Sequence, residues 1–202
     1  MTSPLRPALV LLAAFTALTG IAYPLAVTGI AQVAFPAAAN GSQVSVGGRV
    51  VGSALVGQSF TSERYFHGRP SATTAPDPQD PAKSVDAPYN GASSTGSNLA
   101  PSSAALAEAV KARVAALGGG PVPADLVTSS ASGLDPDISP AAAALQVGRI
   151  AKARGLSEDE VRVLVKRNTM GRAFGLLGEP RVNVLALNLA LDGMKREPAG
   201  AM

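Results

Sequence analysis

The feature that most constrains this 202-residue chain is an uncharged apolar run from Ala8 to Phe35. Roughly 28 residues in a helix, at 1.5 Å each, reach about 42 Å, and a bilayer's hydrocarbon core is about 30 Å thick. The run is therefore expected to cross a membrane. A cleaved signal sequence is the competing reading, since Ala37 and Ala39 form a small-x-small site after it. Secretory apolar cores, however, are only about 7 to 15 residues long, so a retained anchor is expected. Pro24 interrupts the run; its missing amide and its ring, which crowds the carbonyl four residues earlier, predict a bend near Ala22–Leu25. Gly20, Pro24 and Gly29, with Thr16, Thr19, Ala22 and Thr28 nearby, offer small surfaces against which another helix can close. Arg6 and the amino terminus precede the run and Arg49 is the first charge after it. The positive-inside rule then places residues 1–7 in the cytoplasm, 8–35 in the membrane and 36–202 outside.

Beyond the anchor, VSVGGRVVGSALV at Val44–Val56 predicts two short strands around a Gly47-Gly48 turn, with Leu55 and Val56 opening a third piece. Pro, Ser, Asn and Gly concentrate in residues 68–103, and a mobile loop is expected at about 74–90. Four helices follow. The first is capped by Ser102 or Ser103 and carries Leu106, Val110, Val114 and Leu117 on one face. Ser139-Pro140 opens the second and Gly155 stops it. Ser157 and Glu160 form a capping box for the third, with Val161, Leu164 and Val165 on its apolar side. Val182–Met194 is apolar on most sides and is expected to be central, with Leu185, Leu189 and Leu191 buried. The fold class is α+β: one N-terminal transmembrane helix, then a mainly helical extracytoplasmic domain with a small β-sheet.

The composition removes several chemistries. There is no cysteine, which excludes disulfides, thiolate metal sites and lipid attachment through an N-terminal Cys. The 17 Lys and Arg are interspersed with 14 acids, without the basic stripe and aromatics of a nucleic-acid surface. Neither GxxxxGK[ST] nor DKTGT occurs, so no nucleotide is held by a motif of its own. A single membrane helix cannot build a ring of filter carbonyls. His67 is the one histidine, so any Ser-His-Asp triad must use it; its setting in RYFHGRPSA, beside two aromatics, favours a packing role. Asp135 and Asp137 in GLDPDISP lack calcium-loop spacing and read as turn and capping chemistry. No catalytic or metal residue is therefore assigned.

Several ordered blocks together resemble the C subunit of the Kdp potassium-transporting ATPase family. They are LRP (Leu5–Pro7), TGIAYPL (Thr19–Leu25), GSALVGQSF (Gly52–Phe60), YFHGRPSAT (Tyr65–Thr73), GSNLA (Gly96–Ala100), PADLVTSSASGLDPDISPAAAALQ (Pro123–Gln146), RIAKARGL (Arg149–Leu156) and GEPRVNVLALNLALD (Gly178–Asp192). The resemblance implies a non-catalytic accessory subunit of a high-affinity potassium uptake complex. Its partners would be a potassium-channel-like subunit, an ATP-hydrolysing subunit and a small single-helix subunit. It further implies a catalytic chaperone that raises the ATP affinity of the hydrolysing subunit; an outward-facing domain would have to act on ATP through packed helices.

Two departures from the family pattern stand out. Thr95-Gly96 replaces a usual Gly-Gly before Ser-Asn-Leu, and Asp77–Asp86 is longer than typical. Outside the membrane, the candidate partner-contact residues are Phe66, His67, Arg69, Pro70 and Ser71; Gly96, Ser97, Asn98 and Leu99; and Ser132, Gly133 and Asp135, because polar Gly-rich loops suit backbone-mediated contact. The competing functions are a membrane-anchored hydrolase using His67 and a module that binds a soluble ligand.

Overall fold

The computed structural model describes residues 4–194, which fall into two units divided between Val51 and Gly52. The first unit is the anchor. Helix α1 (Leu5–Ala17) and helix α2 (Tyr23–Ala34) are joined without interruption by one π turn at Leu18–Ala22. The resulting 30-residue helix is long and apolar enough to cross a membrane, and none of its residues is buried in the protein.

The expected irregularity lies one turn earlier than Ala22–Leu25. The Tyr23 amide reaches back five residues to the Leu18 carbonyl, which widens the helix just ahead of Pro24. A proline ring collides with the carbonyl four residues before it, and widening the preceding turn relieves that contact. Thr19 adds a bond from its hydroxyl to the Phe15 carbonyl at 2.7 Å, a pattern that also bends helices. At the far end, the short helix α3 (Pro36–Ala39) is sewn to α2 by Asn40, whose amide donates to the Pro36 carbonyl and to Gln32 Oε1 at 2.7 and 3.0 Å.

Strands β1 (Gln43–Val46) and β2 (Arg49–Ser53) pair around the Gly47-Gly48 turn, as the sequence predicts. Both glycines have positive φ, +58° and +79°, which a tight hairpin turn requires. Leu55 and Val56 do not start a strand; a turn folds Val56 back into a single bridge with Ser53. The stretch expected as a loop at about 74–90 contains a hairpin of β3 (Thr74–Pro76) and β4 (Ser84–Asp86), with Ala75 opposite Val85. Its turn is organised by Asp77 and Asp80, whose carboxylates accept the Gln79 and Ala82 amides. Polar side chains here make a turn that the absence of apolar alternation conceals.

Helix α4 (Ala104–Ala116) forms where expected, but Ser103 caps it without a side-chain hydrogen bond and no residue of it is buried. Leu106, Val110 and Val114 are half-buried and Leu117 is exposed, so this apolar stripe is incompletely covered. The core is built instead by α5 (Pro140–Arg154), α6 (Glu158–Arg167) and α7 (Val184–Gly193), with strands β5 (Asp137–Ile138), β6 (Thr169–Met170) and β7 (Arg181–Asn183). The strands form an antiparallel sheet in the order β5-β7-β6, with Val182 opposite both Ile138 and Thr169.

Each of these helices starts and stops for a local reason. Ser139 Oγ accepts the Ala142 amide at the start of α5, and Gly155, at φ +68°, ends it in the left-handed conformation. Ser157 and Glu160 make the reciprocal capping box of α6, whose first turn is acidic and last turn basic, matching the helix dipole. Asn183 caps α7 by accepting the Ala186 amide. That cap places Val182 and Asn183 outside the helix, which starts at Val184, and the face turned to the core follows the helical spacing Val184, Leu187, Asn188 and Leu191. Leu185, Leu187 and Leu191 are buried, whereas Leu189, expected in the core, is only half-buried.

Candidate functional site

The densest set of sequence-nominated residues is the extended segment Phe66–Ser71. It has no strand partner, and its backbone is instead held by two buried side-chain amides. Asn188 on α7 accepts the Phe66 amide through Oδ1 at 2.8 Å and donates Nδ2 to the Phe66 carbonyl at 3.0 Å. Gln146 on α5 does the same for His67, at 2.8 and 3.1 Å. Asn188 and Gln146 are 2% and 5% exposed, so each mimics a ladder rung inside the core, where an unpaired backbone group is costly. Phe66 itself is fully buried and anchors the segment.

The next residues turn toward the Ser132–Asp137 block. Arg69 pairs with Asp135 at 2.7 Å, and the Tyr89 hydroxyl donates to the Arg69 carbonyl at 2.6 Å. Arg69 Nε is buried without a partner among the described residues. Ser71 Oγ donates to the Gly133 carbonyl at 2.7 Å and accepts the Tyr89 amide at 3.0 Å. Gly133 is buried at φ +68°, and a Cβ there would stand 2.6 Å from both Thr73 Cγ2 and the Thr95 carbonyl. Thr95 and Ser94 both donate to the Ser132 carbonyl, at 3.0 Å each, and a Cβ on Gly96 would stand 3.0 Å from the Ala131 carbonyl.

The structure thus brings Arg69, Ser71, Gly96, Ser132, Gly133 and Asp135 into one knot of loops. Ser97, Asn98 and Leu99 stay at its edge, with Asn98 at φ +53°. Gly20, Pro24 and Gly29 belong to the other unit, along the anchor helix.

The segment His67–Pro70 is flanked by two open clefts. One, of about 380 Å³, is lined by Gln58–Thr61, His67–Ser71, Pro88 and Tyr89; the other, of about 290 Å³, adds Arg113, Leu117, Leu126, Gln146 and Arg149. Tyr89 lines the first of them. Cβ atoms on Gly57 and Gly68 would overlap its ring and hydroxyl, so both glycines exist to admit it. Burial, and secondarily the Asp135 charge, push the Tyr89 hydroxyl up to about 12 against a smaller opposing effect of Arg69, keeping it a donor. Burial likewise raises the Asp137 carboxyl despite its bonds to Asn183 and Arg181, and burial lowers the Arg149 guanidinium.

His67 Nε2 lies 3.0 Å from the Ser62 carbonyl. A carbonyl only accepts, so this nitrogen carries the hydrogen and donates it to the backbone. No group of three or more His, Asp or Glu side chains able to hold a metal converges among the described residues. The arrangement is a set of hydrogen-bonded, glycine-dependent loops that present backbone and side chains in fixed positions.

Sequence reasoning missed Tyr89, Gln146 and Asn188, the three side chains that organise the segment. The two amides did leave a signal: each interrupts an otherwise apolar helix face, Ala142-Ala143-Gln146-Val147 and Leu187-Asn188-Leu191. A buried polar residue there demands a partner. Tyr89, within a Pro- and Asn-containing stretch, left none.

Comparison with known proteins covers both units. A family model described as "KdpC: K+-transporting ATPase, c chain" matches residues 5–193. The "Potassium-transporting ATPase KdpC subunit" of Methylorubrum extorquens is 66% identical over 195 residues, covering 95% of this chain and 97% of the relative. That of Methylorubrum populi is 62% identical over 200 residues, covering 97% and 100%, and that of Rhodopseudomonas palustris is 61% identical over 199 residues, covering 96% and 100%.

Proposed function

The chain belongs to the KdpC family, the c chains of K+-transporting ATPases, and from that premise we propose that it supports assembly and activity of a high-affinity potassium uptake complex in the membrane. The observation that carries this reading is the family match over residues 5–193, which takes in the anchor helix as well as the domain. In this reading the amino terminus is cytoplasmic, residues 8–35 cross the bilayer and the remaining domain lies outside, because Arg6 precedes the run and no charge follows until Arg49.

The anchor is the part that meets other subunits within the bilayer. With no buried residue of its own, it gains from closing on channel-like, ATP-hydrolysing and single-helix partners through Gly20, Pro24 and Gly29. The accessible parts of the loop knot around His67–Ser71 meet partner surfaces outside, while Phe66, expected at such a contact, is buried in the core and serves as the segment's anchor. The effect on ATP is indirect. A subunit without a phosphate loop raises the ATP affinity of the hydrolysing subunit only by favouring, through differential contacts, the state that binds ATP better. The hydrolase reading gains nothing from the fold: the bond His67 Nε2 makes is to the Ser62 backbone carbonyl rather than to a serine hydroxyl or a carboxylate.

Leucine at Gly20 or Gly29 tests the anchor's part. A Cβ at Gly20 meets only Thr16 Cγ2 at 4.0 Å and one at Gly29 meets nothing within 4 Å, so the helix itself tolerates both changes. Affinity purification of the intact chain from its native membrane, with mass identification of partners, is expected to recover the ATPase subunits with the parent chain and fewer with either leucine variant. Full recovery and unchanged potassium-stimulated ATP hydrolysis in both variants would overturn the docking role. Absence of ATPase subunits from the parent preparation would overturn the accessory role.

A further inference from the structure

Between β6 and β7 the chain makes a protruding turn, GRAFGLLGEP, that no part of the site above uses. At its tip Phe174 is 94% exposed, Leu176 78% and Leu177 65%. Exposed apolar residues usually occur singly; here three large ones stand together on four residues. The turn is fixed: Ala173 and Leu177 exchange both backbone hydrogen bonds, at 2.8 and 2.9 Å, and Gly175 donates to the Arg172 carbonyl. Arg172 grips Glu179 through both carboxylate oxygens, at 2.8 and 2.7 Å, across its base. Phe174 sits at φ +53°, a left-handed conformation that bulky residues seldom adopt. The backbone is thus held in an uncommon form whose result is an aromatic ring in the medium.

We propose that this turn is a membrane-surface contact, with Phe174, Leu176 and Leu177 dipping into the interface of an anionic bilayer. Two observations choose lipid as the occupant. Residues 35–51, which join the domain to the anchor, reach only about 60 Å when fully extended, so a bilayer is always within range at high effective concentration. The chain around the tip also carries a net positive charge: Arg172 and Arg181 are paired with Glu179 and Asp137, but Lys166 and Arg167, which close α6 just before β6, have no ion pair among the described residues. An apolar tip with basic flanks is the composition that binds anionic interfaces. The inference uses the membrane-spanning reading of the anchor but none of its subunit contacts.

The chain contains no tryptophan, so Phe174→Trp and, separately, Ile21→Trp each introduce a single reporter. The full-length variants are reconstituted into vesicles of equal parts phosphatidylcholine and phosphatidylglycerol, with or without brominated acyl chains. Emission from the Phe174→Trp variant is expected to shift to the blue and lose most of its intensity to brominated lipid. Quenching is expected to fall when Leu176→Ser and Leu177→Ser are added, and when phosphatidylglycerol is replaced by phosphatidylcholine. Water-like, unquenched emission would overturn the proposal. So would a blue shift seen only with co-reconstituted ATPase subunits and without bromine quenching, which would make a protein the occupant. Quenching unaffected by both serines would remove the apolar tip as its cause, and quenching indifferent to lipid charge would remove the basic flanks. Ile21→Trp separates the two readings: if it too escapes quenching, the anchor reading fails, whereas quenching of the Ile21→Trp variant alone refutes only the surface contact.

Discussion

Replacing Asn188 by alanine should loosen the whole Phe66–Ser71 segment, and the structure sets the size of the effect. The change removes the acceptor of the Phe66 amide at 2.8 Å and the donor to its carbonyl at 3.0 Å, leaving both partners in a core where Phe66 is fully buried. Each buried polar group left unpaired costs about 1 to 3 kcal/mol. Truncation adds a cavity, while any water that enters it offsets part of the loss. A net destabilisation of about 3 kcal/mol follows. For a protein of this size that lowers the melting temperature by about 6 to 12 °C.

Asn188→Leu separates the causes, since it restores packing volume without restoring either hydrogen bond; it should retain most of the loss. The assay is thermal unfolding of the full chain in detergent, followed by circular dichroism. If both variants melted within about 1 °C of the parent, the amide would not be holding the segment. If leucine fully rescued stability, packing rather than hydrogen bonding would be responsible. If the proposed partner contacts hold, Asn188→Ala should also weaken subunit co-purification, because it releases the segment assigned to them.

Leu187→Ala should destabilise the domain by about 2 to 5 kcal/mol and Leu189→Ala by distinctly less, read from urea unfolding; equal effects would contradict the observed phase of α7. The Tyr89 pKa is raised on folding from 10.0 to about 12, so its stabilising contribution is complete below the unfolded value and lost as pH rises through the folded one; melting temperatures above about pH 10 should fall more steeply for the parent than for Tyr89→Phe, and parallel curves there would refute this. Gly133→Ala should cost about 1 to 3 kcal/mol because of its left-handed backbone and the close approach of Thr73 and Thr95; an unchanged melting temperature would show that the loop knot yields easily. His67→Gln should leave ATP turnover of the complex near the parent value, and an assembled but inactive complex would make His67 an active-site residue after all.

The sequence by itself determined whatever depends on neighbours along the chain. The uncharged run specifies a long apolar helix, since a bilayer-length stretch without charge has few other structures open to it. Ser139-Pro140, Gly155 and the Ser157–Glu160 box set helix ends because capping groups act within one turn. Gly47-Gly48 specified a hairpin through its backbone freedom. Ordered blocks along the chain carried the family likeness. The tertiary structure decided what depends on residues distant in sequence. Phe66 meets Asn188 and Arg69 meets Asp135 only after the helices pack, and no local pattern encodes such pairings. Leu187 rather than Leu189 is in the core because packing selects the face that Leu187 shares with Val184, Asn188 and Leu191, and a helix apolar on most sides does not announce which face that is. The hairpin at Thr74–Asp86 arises from cross-strand pairing and aspartate turns rather than apolar alternation. Nothing in the local pattern around Phe174, Leu176 and Leu177 sets them apart from core residues; only the fold shows them exposed among the described residues.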